Sequence, residues 1–203
     1  MIYAGYLRDG RQLRIAYFSD EVSRMSVEEP SGGWSPDHEI VRFDRQAVVS
    51  REDVIAAWTS DGGLARAEAE RRLDEILLIA VDRQGSLAGV TTAYLARNGQ
   101  LQADMWHLRA FTPVAHRNSN VGVAIVVAAR DRLIQRFVER EDQRGLGVLI
   151  EIENEGLRRR FPKGLWFETD FLLIGRNERG DDVRVHYFPG VRAPAPAGAP
   201  APP

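Results

Sequence analysis

Residues 112–126 read TPVAHRNSNVGVAIV, a stretch in which a strand pattern ends and a helix pattern begins. Pro113 interrupts the strand pattern, and the polar run HRNSN separates it from a long apolar segment. Such a loop is either a simple helix cap, with Ser119 or Asn120 accepting from the first turn, or a loop that binds a phosphate group. The elements on either side of the loop decide between these two interpretations.

The hydrophobic patterns on both sides of this loop predict a mixed sheet. Upstream, they predict helices from residue 51 and at about 64–75, and strands at 40–43, 76–82, 86–96 and 105–111. Downstream, they predict a helix at 121–139, a short helix or turn at 154–161, and strands at 147–153, 164–175 and 181–188. The order β-α-α-β-β-β-α-β-α-β-β predicts an α/β (α+β) fold with a mixed, mostly antiparallel central sheet flanked by helices on both faces.

The 203 residues divide into three regions by composition. Residues 1–39 are predicted to form an N-terminal extension, with a strand at Leu13–Phe18 and a turn-rich loop after it. Residues 40–192 carry the regular pattern of the main domain. Residues 193–203, APAPAGAPAPP, contain only Ala, Pro and Gly and are predicted to be a disordered tail.

Composition excludes several classes of function. The chain has no cysteine, which removes disulfides, thiolate metal sites and cysteine nucleophiles. A net charge of −2 gives no global attraction to nucleic acid or to an anionic membrane. No signal peptide and no apolar run of roughly 18 residues is present, so a soluble cytoplasmic protein is expected. Histidine and carboxylate spacing suits no metal, and no nucleophile elbow or Walker loop occurs.

Residues 117–122, RNSNVG, follow a strand and open a long apolar helix, and in this setting they resemble the loop of the GNAT superfamily of N-acyltransferases. The pattern in that family is Q/R-x-x-G-x-G/A, and the resemblance covers about residues 40–190. Arg117 and Gly122 match its outer positions, whereas Asn120 replaces the middle glycine, which marks a divergent member. The resemblance implies a bulge at the end of the fourth strand, and a gap beside that strand where the strand after the long helix splays away.

The implied cofactor is acetyl-CoA or another acyl-CoA, whose pyrophosphate the loop would bind. Unpaired N–H groups and the helix dipole favour an anion at a helix start, and Arg117 adds a full charge. Asn120 replaces glycine acceptably if the backbone there needs a positive φ. The predicted cofactor-binding residues are Leu108, Ala110 and Phe111 by their strand backbone, the loop residues Arg117, Asn118, Ser119, Asn120, Val121, Gly122 and Val123, and Asn154 beside the splayed strand.

Acyl transfer to an amine needs a polarised carbonyl and a path for the proton. His107, on the fourth strand, is the first candidate base, and Asp104 could relay a proton through water. Many family members carry a tyrosine on the helix after Asn154 as the acid, but that segment here ends in Phe161. Tyr187, on a late strand, is the alternative acid. His116 is expected near the phosphates.

Three functions remain open from the sequence. The first is a CoA-dependent N-acyltransferase that moves acetyl from acetyl-CoA to an amine of a small molecule or protein. The second is a catalytically degenerate module that binds acyl-CoA or a protein. The third is a synthase that takes a long acyl chain from acyl-CoA or an acyl carrier. The expected partners are acyl-CoA and an amine acceptor, with a homodimer formed if late strands pair between subunits, and with no nucleic acid or membrane.

Overall fold

The computed structural model describes residues 3–6, 12–15, 37–45, 48–117 and 119–192. Asn118 and the predicted tail at 193–203 lie outside the described residues. The chain divides into two compact units, residues 1–32 and 33–203. In the first unit, β1 (Tyr3–Tyr6) pairs antiparallel with β2 (Gln12–Ile15).

The second unit contains the mixed sheet that the sequence predicted. Its strands are β3 (His38–Arg42), β4 (Ile76–Asp82), β5 (Leu87–Asn98), β6 (Ala103–Phe111), β7 (Gly147–Ile152), β8 (Leu165–Trp166), β9 (Phe171–Arg176) and β10 (Asp182–Tyr187). Its helices are α1 (Arg51–Ser60), α2 (Arg66–Arg72), α3 (Val121–Val138) and α4 (Glu155–Arg160). The order across the sheet is β3-β4-β5-β6-β7-β10-β9-β8. Every described pair is antiparallel except β6 with β7.

Helices cover both faces of the sheet, as predicted, because the buried strands carry apolar side chains on both sides. On β4, Leu78 and Ala80 join the cluster of α3, which includes Ile125. The intervening Ile79 and Val81 pack with α1 and α2, which contribute Trp58 among others. Alternate residues of a strand face opposite sides, so β4 supplies both clusters.

Helix α1 begins where the sequence predicted. The Ser50 backbone N–H donates to Asp53 Oδ2 at 2.8 Å, and the Asp53 N–H donates to Ser50 Oγ at 3.1 Å. This reciprocal capping box satisfies two donors at the helix start. Helix α2 is shorter than the predicted 64–75, because residues Leu73–Glu75 tighten into a 3-10 turn before β4.

The predicted continuous strand at 164–175 is wrong. A turn separates β8 from β9, and in it the N–H groups of Thr169 and Asp170 both donate to the Trp166 carbonyl. Asp170 has φ +55°, a left-handed conformation that a strand cannot contain. Boundaries also shift at β3, which starts at His38 rather than at residue 40, so the predicted division at 39/40 falls inside this strand.

The packing of α3 against the sheet is expected to contribute a large share of the free energy of unfolding. Ile125 is fully buried in the α3 cluster, so Ile125→Ala should lower the free energy of unfolding by about 2–5 kcal/mol through lost transfer energy and a cavity. Val138, at the exposed end of the same helix, is the matched control, and Val138→Ala should change it by less than about 0.5 kcal/mol. Urea denaturation measures both. If both substitutions lower the free energy of unfolding equally, the burial of Ile125 between α3 and the sheet is contradicted.

Candidate functional site

A gap opens where β6 and β7 part. These parallel strands pair at two positions, Trp106 with Val148 and His107 with Leu149. Beyond them β6 stays paired with β5 as far as Phe111, and β7 stays paired with β10 as far as Ile152. Among the described residues, the facing backbone edges of the two strands therefore have no strand partner past His107, and their polar groups need other partners.

The end of β6 leads directly to the start of α3. A 3-10 turn (Val114–His116) connects them, and Asn120 is the N-cap residue of α3. Ser119 Oγ donates to the His116 carbonyl at 2.7 Å and accepts from the Val121 N–H at 3.4 Å. Asn120 makes no side-chain cap bond, so of the two predicted capping residues Ser119 takes that role.

Asn120 does not need the conformational freedom of glycine. Its φ is −79°, well inside the ordinary region for any residue, so the expected advantage of Asn at positive φ does not apply. Its side chain is exposed beside the helix start. The replacement of the family's middle glycine therefore costs no backbone strain here.

Gly122 packs closely against the end of β6 at the helix start. A Cβ at this position would lie 3.0 Å from Thr112 Oγ1, so the first turn of α3 rests against the end of β6. The Ala124 N–H donates to the Asn120 carbonyl at 3.0 Å, and for the N–H groups of Gly122 and Val123 the described residues provide no acceptor. These donors suit an anion at the helix start.

Arg117 and the loop are fastened to the end of α1. Arg117 Nε donates to the Thr112 carbonyl and Nη2 to the Asp61 carbonyl, both at 3.3 Å. Asp61 Oδ2 accepts from the Val114 N–H at 2.9 Å. Sequence reasoning missed Asp61, which directly follows α1. Both bonds of Arg117 are long and the residue is exposed, so its charge remains available near the helix start.

The structure places His116 away from the helix start. Its Nδ1 lies 3.4 Å from His38 Nε2, and its Nε2 lies 3.7 Å from Asp82 Oδ2. His38 and Asp82 face each other across β3 and β4. His116 therefore anchors the 3-10 turn to this corner of the sheet, and only its carbonyl reaches Ser119.

His107 occupies the last paired position before the gap. Its ring stacks on Tyr94, with the ring centroids 5.0 Å apart. Burial lowers its pKa below 6.5, the Glu151 carboxylate acts in the opposite direction, and Arg109 lowers it further. Among the described residues its Nε2 is enclosed without a hydrogen-bond partner, and a backbone hydrogen bond involving Ala96 raises the pKa of His107 by less than burial lowers it. His107 is thus neutral at neutral pH and able to accept a proton.

Arg109 and its neighbours line the same face of the sheet as His107. Arg109 Nη1 donates to Glu75 Oε2 at 2.7 Å, and the guanidinium carbon lies 4.1 Å from the Tyr94 ring centre. Sequence reasoning missed Tyr94, Glu75 and Glu151 as site residues. The alternation along β5 places Tyr94 on this face, but only the register that sets it opposite His107 reveals the contact.

Of the other predicted strand residues, three border the gap and two do not. Leu108, Ala110 and Phe111 border the gap, where they pair with β5 in an unbroken register, so the bulge implied at this strand end is absent from that pairing. Asp104 lies at the other end of β6, where its carbonyl accepts from the Leu146 N–H at 2.9 Å. Tyr187 pairs with Gly147 at the closed end of the gap. Neither Asp104 nor Tyr187 meets His107 there.

Asn154 lies two residues past the end of β7 and is the N-cap residue of α4. Its Oδ1 accepts from the Leu157 N–H at 3.0 Å, which caps the helix. At the other end of α4, Phe161 stacks on Trp166 with centroids 4.3 Å apart, and its carbonyl accepts from the buried Arg184 at 2.7 Å. Phe161 therefore supports the core, and it brings no proton donor to the gap.

A separate open cavity of about 490 Å³ lies at the C-terminal half of α3. Its arginines are neutralised, for example Arg42 by Asp44 at 2.6 Å and Arg51 by Asp74 at 2.9 Å. Neither His107 nor the start of α3 lines it. Among the described residues no group of three His, Asp or Glu side chains could hold a metal ion. The described helices also include none with the length and apolarity to cross a bilayer.

No family model matches the sequence, and no curated protein matches it. Solved structures with a similar chain path include the following three acetyltransferases. A GNAT-family acetyltransferase from Streptococcus pneumoniae is 10% identical at a TM-score of 0.47, over 75% of this chain and 99% of its own. The ribosomal-protein-S18-alanine N-acetyltransferase from Escherichia coli is 12% identical at a TM-score of 0.45, and the match covers 78% of this chain and 97% of its own. Mutant forms of the spermidine/spermine N-acetyltransferase from Vibrio cholerae are 11% identical at 0.45, over 74% and 93%.

Burial of His107 as a neutral ring predicts a pH-dependent stability. The unfolded chain, with a histidine pKa near 6.5, binds a proton more readily than the folded protein. The free energy of unfolding should therefore fall as the pH drops below 6.5 toward the lowered pKa. His107→Gln should remove this component, as measured by urea denaturation of both proteins across that range. If the difference in free energy of unfolding between the wild type and His107→Gln stays constant with pH, the lowered pKa of His107 is refuted.

Proposed function

We propose that the chain is a CoA-dependent N-acyltransferase, which transfers an acyl group, most simply acetyl, from acyl-CoA to an amine. The observation that carries this proposal is the parting of β6 and β7 next to the start of α3. One opening thus combines unpaired strand edges, which suit an amide-rich chain with a thioester, and a helix start, which suits a pyrophosphate. An acyl-CoA carries a thioester at one end and a pyrophosphate toward the other, so one opening with both features suits it. A loop that served only as a helix cap would not account for the parted strands.

The residues at the helix start fit the phosphates of this cofactor. The N–H groups of Gly122 and Val123 supply donors, and Gly122 adds no side chain to obstruct them. Arg117 supplies the charge from the loop side. Asn120 and Ser119 supply short polar side chains, and the predicted contribution of Asn118 belongs to the same loop. At the far side of the gap, Asn154 follows β7 and caps α4.

The bound cofactor would supply an activated thioester carbonyl. In this proposal the backbone N–H groups between Leu108 and Phe111 that point away from β5, every second one along the strand, stabilise negative charge on the carbonyl oxygen. The new C–N bond forms as the C–S bond breaks, the amine proton passes to a base, and the thiolate leaves with the CoA. His107 is the base in this proposal, and it receives the proton at Nδ1 because Nε2 is enclosed.

Tyr94 is the candidate proton donor to the thiolate. It is the tyrosine that stacks on His107, whereas Tyr187 lies at the closed end of the gap. A thiolate is a tolerable leaving group, so this contribution should be modest. Tyr94 thus substitutes for the tyrosine that the segment ending at Phe161 lacks.

Cofactor binding can be tested by thermal shift with acetyl-CoA, longer acyl-CoAs and CoA. A ligand at 100 times its Kd adds about 2.7 kcal/mol to the stability of the native state, so the Tm should rise. Gly122→Trp should abolish the rise by filling the helix start. Gly99→Trp is the matched control, because Gly99 lies in the turn between β5 and β6, where a Cβ meets nothing within 4 Å.

Two results would contradict the cofactor site. The absence of a shift with any thioester would exclude both enzyme hypotheses. An intact shift in Gly122→Trp would place the site elsewhere. A preference for long-chain acyl-CoA would instead favour the synthase.

Catalysis can be tested through thiol release from acetyl-CoA on a panel of amines. His107→Gln should reduce kcat by roughly 100-fold or more, the usual contribution of a general base, with the thermal shift by acetyl-CoA preserved. The acid limb of kcat/KM should lie below pH 6.5, since the pKa of His107 is lowered. Unchanged kcat in the variant would remove His107 from the reaction. A shift without thiol release on any amine would favour the binding module.

A further inference from the structure

Two opposite charges flank the gap at matching positions. His107 and Leu149 are the last paired residues of β6 and β7, and both strands run in the same direction beyond them. Arg109 lies two residues past His107, and Glu151 lies two residues past Leu149. Since alternate residues share a face, both side chains lie on the face of His107, one on each side of the opening. Both also act on the pKa of His107, in opposite directions.

Each of these two charged side chains is bonded to residues on its own side of the gap. Arg109 is fixed by Glu75 at 2.7 Å and by the Tyr94 ring. Glu151 Oε2 accepts from Arg179 at 2.9 Å and from Asn177 at 3.2 Å. The structure contains no ion pair between Arg109 and Glu151 in the part of the chain that it describes.

Both groups keep hydrogen-bonding capacity for a ligand. Among the described residues, Arg109 Nε and Nη2 have no acceptor, and Glu151 Oε1 has no donor. The side chains are 29% and 33% exposed, so they are fixed in place and still accessible. A guanidinium with two free N–H edges suits a carboxylate, and a carboxylate oxygen beside a neutral histidine suits an ammonium group.

We infer that the acceptor is a zwitterion, an amine that also carries a carboxylate, of which a free amino acid is the simplest case. The inference rests on the proposed function and names the substrate class for that same site. The carboxylate of the acceptor binds Arg109, and its ammonium group lies between Glu151 and His107. Glu151 holds the charged amine until the amine loses one proton to water. The neutral amine then attacks the thioester, its second proton passes to His107, and the C–S bond breaks to release the thiolate of CoA.

The two charges also disfavour other acceptors. A simple polyamine places a second positive charge near Arg109, and a dianion places excess negative charge near Glu151. Like charges at close range in a partly buried site are unfavourable, so specificity arises from repulsion as well as attraction. Arg109 and Glu151 are therefore specificity-determining residues, whereas Glu75 and Arg179 position them.

The experiment compares matched acceptors with acetyl-CoA as donor. Free amino acids are assayed beside their α-amides and beside the amines that lack the carboxylate, and thiol release gives kcat/KM for each. The wild type should prefer the free amino acid by at least about tenfold, the ratio that a loss of 1.4 kcal/mol in binding would give. Equal use of the amide or the decarboxylated amine would overturn the inference.

Variants of Arg109 test whether this residue determines the preference for the free amino acid. Arg109→Gln should raise KM for the free amino acid at least tenfold and leave KM for the amide unchanged, and Arg109→Lys should restore part of the loss. Glu75 keeps its partner Arg71 in both variants, which favours folding. Arg97→Gln, an exposed arginine opposite Asp104 at the other end of β6, is the matched control and should retain the preference. An equal loss for all acceptors in Arg109→Gln would also overturn the inference.

Binding measurements separate this inference from the proposed function. Thermal shift with acetyl-CoA reports on the cofactor site alone. Isothermal titration of free amino acids and their amides into CoA-loaded protein reports on the acceptor site without chemistry. A cofactor shift without amino-acid binding refutes the zwitterion and leaves the acyltransferase proposal intact. The absence of any cofactor shift refutes the proposed function itself.

Discussion

The parallel contact between β6 and β7 is the constraint on which the rest of the structure depends, because it lasts for two residue pairs only. Helix α3 carries the chain from the end of β6 back to the start of β7, so the two strands must run in the same direction. Each is then bound to an antiparallel neighbour, β5 or β10, along most of its length. The sheet behaves as two antiparallel halves joined at a short seam, and the halves separate past His107.

The seam explains why polar and charged groups gather at one place. Past the seam the facing strand edges have no strand partner in the part of the chain that the structure describes, and no described strand encloses the side chains on the α1 and α2 face there. Charged residues such as Arg109 and Glu151 can therefore occupy strand positions that a continuous sheet would fill with apolar side chains. At and before the seam the same face is mainly apolar, with Met105, Leu149 and Val185 in one cluster. The change from apolar to charged along β6 and β7 follows the separation of the two strands.

Much of the fold could be predicted from the sequence because its determinants are local. The capping residues of α1, the alternation of β4 and the apolar stripe of α3 each lie within one short segment. The error at 164–175 arose because Asp170 adopts a left-handed conformation inside an otherwise strand-like pattern. The loop at the start of α3 was found from position and composition, yet the roles of Ser119, Asn120 and His116 depended on bonds to residues elsewhere in the chain.

The sequence by itself determined the order of helices and strands, the loop between β6 and α3, and the histidine on β6, since periodicity and spacing encode them directly. Tertiary structure alone decided which side chains surround that histidine. Glu75, Tyr94, Arg109 and Glu151 come from four separate segments, and only strand register and the seam bring them to one face. The physical reason is that a one-residue change of register would turn each strand residue to the opposite face, and no local pattern fixes the register between strands so far apart in the chain.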